Sequence, residues 1–307
     1  MRVNYNGTFS NSKPIHNGVP QGSILGPILF LLHFNDAPNV LKYCKILMYA
    51  DDTIIYVQSD CLDYIEKSLT EDLNSLTIWF RENELILNLK KGKTEVMLFG
   101  TKQRLAKQDH AIDIKYNSKS INVTSTYKYL GVILDQSLNM EGHFKSVCKK
   151  ISSRLRMLKR VRPFLTDTAA QRIYEAMIMP IATYCSLTNY YHQNSRKNIF
   201  NTFDNRAQRI IKGNKTVSII NACKIKTCIF VHKALYDHYH HFQEYFELIS
   251  HGIETRNNKK AIRVPVIKLQ STKKAFFYNG AITYNNLPLE MRNEYDLHKF
   301  IKNLKKL

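Results

Sequence analysis

Lys45–Val57 reads KILMYADDTIIYV. Two apolar runs, Ile46–Tyr49 and Ile54–Val57, flank Asp51 and Asp52, with β-branched and aromatic residues on both arms. The pattern predicts a β-hairpin with the two acids at its tip. Aspartate is at home in tight turns, where its side chain bonds nearby backbone N–H groups, so a plain solvated turn also accounts for the pair. Electrostatics opens a second reading. Unit charges 4 Å apart repel by up to about 4 kcal/mol at an effective dielectric near 20, and a divalent cation relieves that repulsion. All-oxygen ligands suit a hard ion such as Mg2+, which keeps several waters and takes substrate phosphates as further ligands. The chemistry of such a site is two-metal phosphoryl transfer.

Composition sets the outer limits. A chain of 307 residues with 44% hydrophobic content has room for one large domain or two to three small ones with ordinary cores. The longest strongly apolar run, Ile24–Phe34, is too short to span a bilayer and is interrupted by Gly26, Pro27 and His33. No basic region leads into an apolar segment at the N-terminus, so neither membrane anchoring nor secretion is expected. The net charge is +20, and it is unevenly spread: residues 1–100 hold nine basic and eleven acidic side chains, leaving 36 and 14 for residues 101–307. An acidic hairpin precedes a basic body, which points to nucleic acid, although Lys-rich solvated faces also occur without a ligand. Six scattered cysteines argue for a reducing compartment rather than a disulfide framework. Cys223, Cys228 and His232 come nearest to metal-ligand spacing, with His238, His240 or His241 as the only fourth partners at hand; ordinary buried thiols fit as well.

Upstream of the hairpin, Gly18–Pro38 reads GVPQGSILGPILFLLHFNDAP. Gly18, Pro20 and Gly22 shape a tight turn, Ser23 is placed to cap the apolar helix that follows, and Pro27 is tolerated near its first turn. That helix is expected to be buried. A missing side chain at Gly22 would let a base or sugar approach the backbone, with Gln21 beside it.

PQG followed by an apolar helix, then YADD on a hairpin about 28 residues later, resembles the reverse transcriptases of non-LTR (LINE-like, jockey-like) retrotransposons. The resemblance implies that Gln21 and Gly22 line the incoming nucleotide site, that Asp51 and Asp52 are catalytic carboxylates and metal ligands for Mg2+ (or Mn2+), and that Tyr49 and Ala50 shape the floor under the primer end. Leu85–Gly100, LILNLKKGKTEVMLFG, resembles the family's next motif, a Lys-Thr turn entering a strand. It would bring Lys93 near the leaving pyrophosphate, and a solvated lysine in a basic loop is the competing view. The implied partners are an RNA template, a DNA primer and deoxynucleoside triphosphates, in an intracellular protein of cytoplasm and nucleus. The implied fold is α+β: a partial polymerase palm, an antiparallel sheet with packed helices, at residues 1–135; a mainly helical, basic thumb at 136–215; and a mixed C-terminal retroelement region at 216–307.

Downstream patterns fit that frame. Asp63–Asn83 is amphipathic, with Ile65, Leu69, Leu73, Leu76 and Phe80 at helical spacing. IDIKY, SINVT and YKYLGVILD read as short strands, with Gly131 a point of close approach and His143 structural. Lys145–Arg162 is a basic amphipathic helix without an acidic residue. Val147, Ile151, Leu155, Leu158 and Val161 form one face, and Lys149, Lys150, Arg154, Arg156, Lys159, Arg160 and Arg162 cover the rest, suited to tracking the phosphates of a template–primer duplex. Arg206, Arg209 and Lys212 add a second basic face. Cys223–Phe246 reads as helix with Phe230, Leu235, Tyr239, Phe242 and Phe246 as core, and Arg256–Met291 alternates like strand before a last helix capped by Asp296.

One departure stands out. The family's third catalytic Asp precedes the PQG segment, whereas here Asp36 is the sole acid before Asp51 and follows it. The expectation is an N-terminally truncated enzyme with impaired two-metal chemistry, and the rival is a basic RNA- or DNA-binding module without catalysis.

Overall fold

The structure is a computed structural model that describes residues 2–14, 18–20, 22–90, 92–107, 110–188, 193–212, 217–236, 240–249, 261–267 and 275–306. It divides into two compact units, 1–127 and 128–307.

The first unit opens with a small hairpin, β1 (Asn4–Tyr5) and β2 (Thr8–Phe9), turned by Asn6 and Gly7 at positive φ. Helix α1 (Gly26–Phe34) follows, with Pro27 in its first turn. Ser23 contributes as expected in kind but not in position: the cap residue is Leu25, and the Ser23 hydroxyl accepts the Gly26 N–H at 3.0 Å. Burial of α1 is the clear correction. Phe30, Phe34 and the following Ala37 reach the cluster of Leu76, Trp79 and Phe80, with the His33 ring 6.4 Å from that of Trp79, while Leu31 and Leu32 are 59% and 68% exposed. A helix that is apolar all round has one covered side here, because among the described residues a single helix packs against it.

Strands β3 (Lys45–Tyr49) and β4 (Asp52–Tyr56) form the expected hairpin, and α2 (Leu62–Glu82) is the expected amphipathic helix. Its stripe serves two clusters, Ile65 and Leu73 with Ile112, Ile114 and Ile121, and Leu76 and Trp79 with Phe34 and Ala37; Ile55 of β4 packs against both. Leu85–Gly100 departs from expectation. It holds a turn in which the Lys93 N–H bonds the Lys90 carbonyl, and only an isolated bridge, Val96 to Val123, in place of a strand. After the short helix α3 (Lys102–Ala106), β5 (Lys115–Tyr116) and β6 (Lys119–Ser120) pair across Asn117 and Ser118, both at positive φ. All sheets among the described residues are two-stranded, with antiparallel pairing where the register is resolved.

Strand β7 (Thr126–Tyr129) carries the boundary between the units. In the second unit β8 (Val132–Asp135) follows a Leu130-Gly131 turn. The close approach expected at Gly131 is made by Tyr184: its hydroxyl donates to the Leu130 carbonyl at 2.5 Å, and a Cβ on Gly131 would lie 3.4 Å from its ring. Asp135 then organises the entry to α4 (Glu141–Val161), accepting bonds from the Ser137, Asn139 and Met140 N–H groups and the Ser137 hydroxyl. Val147, Ile151, Leu155 and Leu158 of α4 are buried at the centre of a core completed by α5 (Asp167–Met177), α6 (Met179–Thr183), α7 (Asn194–Ile211) and the start of α8 (Ile219–Leu235). Asp204 ties these helices together, accepting the Tyr174 hydroxyl and the Ile219 N–H. His143 is buried, and its Nδ1 accepts the Ile133 N–H at 3.4 Å.

A second core joins the rest of α8 to α9 (Phe276–Asn285), α10 (Leu289–Arg292) and α11 (Leu297–Leu304). Asp296 caps α11 as expected, accepting the Lys299 N–H at 2.7 Å. The expected strand character of Arg256–Met291 is corrected over its second half. Phe277, Ala281 and Tyr284 fall at helical spacing, and Gly280 lets α9 approach α8 so closely that a Cβ there would lie 3.1 Å from Val231. The helix expected through Phe246 stops at Leu235, and Phe246 enters the core from a later short helical turn. Residues 250–260 and 268–274, and the expected core residue Tyr239, lie outside the described residues. No described helix is long and apolar enough to cross a membrane.

Two outcomes are expected. Replacing fully buried Leu155 by alanine should lower unfolding free energy by about 2–5 kcal/mol, against roughly 0.5 kcal/mol or less for exposed Arg156→Ala, read from urea midpoints. Burial works against the charge of Asp135, yet the Ser137 hydroxyl and three backbone N–H groups outweigh it and hold its carboxyl below the usual range. A depressed folded pKa means stabilisation that is complete above about pH 4 and lost as pH falls through the folded value, so Asp135→Asn should flatten the acid limb of the stability profile.

Candidate functional site

The hairpin register pairs Lys45 with Tyr56 and Tyr49 with Asp52, which leaves Ala50 and Asp51 as a two-residue turn. Ala50 has φ +52°, a left-handed conformation that a residue with a Cβ rarely adopts and that turns the chain sharply at the tip. Tyr49, Ala50, Asp51 and Asp52 are all exposed. No hydrogen bond or ion pair to another described residue engages either carboxylate. The donor set is therefore adjacent, all-oxygen and free, which fits a hard divalent ion that keeps most of its water shell. Among the described residues no third carboxylate, imidazole or thiol groups with these two; the one such cluster is Asp63, Glu66 and His110, which does not include them.

Lys93 is exposed in its turn. Tyr127, which no sequence pattern singles out, reaches that turn: its hydroxyl donates to the Lys93 carbonyl at 3.0 Å. Burial, then the negative charges of Asp52 and Glu95, push the Tyr127 hydroxyl pKa up. Gly22 has φ +87° with open space where a Cβ would stand, so its glycine is required by the backbone and leaves the chain accessible. Gln21 lies outside the described residues.

Asp72 likewise goes unmarked by the motifs. It is a charged residue on the buried stripe of α2, only 1% exposed, and its carboxylate accepts the N–H groups of Lys42, Tyr43 and Cys44 at 2.9, 2.8 and 2.6 Å, directly before β3. Burial opposes its charge, but the three backbone donors and the Cys44 thiol outweigh that and lower its pKa. Burial, with the Asp72 charge beside it, pushes the Cys44 thiol up to about 12. The available signal is an acid three residues after Leu69 and four before Leu76, inside an apolar stripe.

On α4 the side chains of Lys149, Lys150, Arg154, Arg156, Lys159 and Arg160 are exposed. At 100° per residue, Lys149, Arg156 and Arg160 run along one line opposite the buried stripe. Arg162 is the exception and a correction. Its Nε and Nη2 donate to the carbonyls of Ile210 and Ile211 at 2.9 Å, its Nη1 to Leu165 at 2.7 Å, and its Nη2 also to Asp167. The guanidinium thus closes the C-terminal end of α7 instead of facing solvent. Cys223 and Cys228 are buried in separate cores, and His232 bonds the Glu294 carbonyl at 2.8 Å and stacks on Phe300. The three are not drawn into one metal cluster; His238 and the side chains of His240 and His241 lie outside what is described.

The hairpin thus carries paired carboxylates at its turn, preceded in the chain by a glycine turn and an apolar helix. Residues 2–134 match the reverse transcriptase (RNA-dependent DNA polymerase) family. The chain is 30% identical over 188 residues to the RNA-directed DNA polymerase from mobile element jockey of Drosophila funebris, covering 58% of this chain and 20% of that protein. It is 27% identical over 219 residues to a probable RNA-directed DNA polymerase from transposon BS of Drosophila melanogaster, covering 68% and 24%. A Pol polyprotein from a type-1 retrotransposable element R1 of Nasonia vitripennis matches at 27% over 184 residues, covering 56% and 43%. The chain thus spans about a fifth to a quarter of the length of the first two relatives. No solved structure gives a significant match.

The placement of Arg162 separates it from its neighbours by experiment. Arg162→Ala should cost about 2–4 kcal/mol in urea unfolding by orphaning buried carbonyls, while leaving the salt dependence of duplex binding as it was.

Proposed function

We propose that this chain is part of an RNA-directed DNA polymerase of a mobile element, in which residues 1–135 form part of the palm, 136–215 a basic thumb and 216–307 a C-terminal retroelement region. The observation that carries the reading is the pair of free, adjacent carboxylates, Asp51 and Asp52, on a turn that a left-handed Ala50 makes sharp. Their mutual repulsion is the affinity of the site for divalent cations. When bound, a pair of Mg2+ or Mn2+ ions supplies charge neutralisation of the attacking and leaving oxygens. Asp51 and Asp52 hold that charge in place at the primer 3′ end, and Tyr49 and Ala50 support the terminal nucleotide. Gln21 and the open backbone at Gly22 border the deoxynucleoside triphosphate, and Lys93 sits on the side of its leaving phosphates. The six outward cations of α4 hold the phosphates of an RNA template and DNA primer, contacts that position without reading sequence. With two carboxylates alone grouped at the hairpin among the described residues, turnover by the isolated chain is weak. The same observation favours the second reading, a nucleic-acid grip that has no chemistry of its own. An intracellular protein acting in cytoplasm and nucleus accords with either.

The test is Mg2+-dependent primer extension on an RNA template by the full chain. Any extension observed should vanish in Asp51→Asn; extension that survives that substitution overturns the catalytic reading, and binding without extension selects the grip alone. Independently, replacing Lys149, Arg156 and Arg160 together by alanine should lower the slope of log K against log salt by roughly 2–3 in magnitude, about 0.9 per phosphate contact on duplex DNA.

A further inference from the structure

Strands β3 and β4 pair only with each other among the described residues, so no neighbouring strand dictates where the hairpin points. A two-stranded ribbon without sheet partners is marginal on its own and takes its orientation from what its base is attached to. Two attachments are present. Ile55 packs against both apolar clusters of α2, which fixes β4 near its middle. At the start of β3 the attachment is polar: the Asp72 carboxylate receives three consecutive backbone N–H groups, Lys42 on Oδ1 and Tyr43 and Cys44 on Oδ2. One turn earlier on α2, the Ser68 carbonyl receives the Cys44 thiol at 3.7 Å.

Successive N–H groups converging on one anion form a cradle whose geometry is set by the backbone itself. A carboxylate offers acceptor sites on both oxygens, whereas an amide of the same shape would turn an NH2 group toward backbone donors. The helix that carries Asp72 is held at two places along its length, by Ile65 and Leu73 in one cluster and Leu76 and Trp79 in the other, so it is a rigid support. Burial of the carboxylate removes water as a competitor for the three donors.

We propose that Asp72 is a positioning residue for the Asp51–Asp52 turn: by clamping Lys42–Cys44 to α2 it fixes the direction in which the unpartnered hairpin presents its two carboxylates. Asp72 touches neither acid and acts through five residues of β3. The inference rests on the metal-binding reading of the hairpin for its consequence, and on the hydrogen bonds alone for the clamp.

The experiment uses the full chain, with Mn2+ alone as probe by electron paramagnetic resonance and amide hydrogen exchange as a second readout. In the unsubstituted chain the amides of Lys42, Tyr43 and Cys44 should exchange as slowly as the centre of α2; rapid exchange there overturns the clamp without any variant. Asp72→Asn, with a cooperative melt, should speed exchange across Lys45–Tyr56 and weaken Mn2+ binding, each roughly tenfold, the equivalent of about one lost hydrogen bond. Exchange in α4 should be unchanged. Asp72→Glu, which keeps the charge, should recover part of both effects and serves if Asp72→Asn does not fold. A folded Asp72→Asn with the original exchange and Mn2+ affinity overturns the proposal. If the unsubstituted chain and Asp51→Asn bind Mn2+ alike, the metal reading fails, and the exchange of Lys45–Tyr56 decides the clamp by itself.

Discussion

A buried carboxylate under three backbone amides is what the first unit depends on. Asp72 must stay ionised in a place that burial makes unfavourable for charge, and it does so because Lys42, Tyr43 and Cys44 direct their N–H groups at it. The arrangement satisfies three donors that no strand partner takes up at the entry to β3, and it joins two elements thirty residues apart. Apolar packing through Ile55 supplies adhesion, but hydrophobic contact is non-directional. Direction comes from the hydrogen bonds, and direction is what two carboxylates need to act on one ligand.

The second unit solves the opposite electrostatic problem, how to carry many cations without weakening its core. Helix α4 does so by strict separation, with Val147, Ile151, Leu155 and Leu158 buried and six cations outside. Arg162, the next cation along, is placed where its charge is useful internally, against the carbonyl ends of α7 and the carboxylate of Asp167. One residue thus converts from surface charge to helix stop within a single turn, because α4 ends at Val161 and the chain bends inward at Pro163.

Features with a local period are legible in the amino-acid sequence alone. The hairpin about Asp51 and Asp52, the stripes of α2 and α4 and the Asp296 cap each rest on neighbours within a few residues. What the sequence hides depends on contacts between distant positions. Asp72 meets Lys42, Tyr127 meets Lys93, and Tyr184 meets Leu130, and nothing local marks the partner. Two of the expectations that fail do so for physical causes of their own. The run around α1 suggests burial because it is apolar on every side, but burial needs a second surface, and among the described residues only one side has one. The FFYNGAITYN segment alternates well enough to suggest a strand, but Gly280 and Ala281 remove the bulk that would keep a helix away from α8, and close helix packing prevails over β-propensity.

Helix α8 contributes Ile219 and Cys223 to one core and Cys228, Val231 and Ala234 to the other. A single rigid rod shared by two apolar clusters makes them one cooperative folding block. A frameshift or stop codon late in the reading frame, anywhere before α11, would strip the C-terminal wall from α8 and carry the damage back along it to the helices beneath the basic face. The last third of the coding sequence therefore constrains the fold of the part that carries the basic helix.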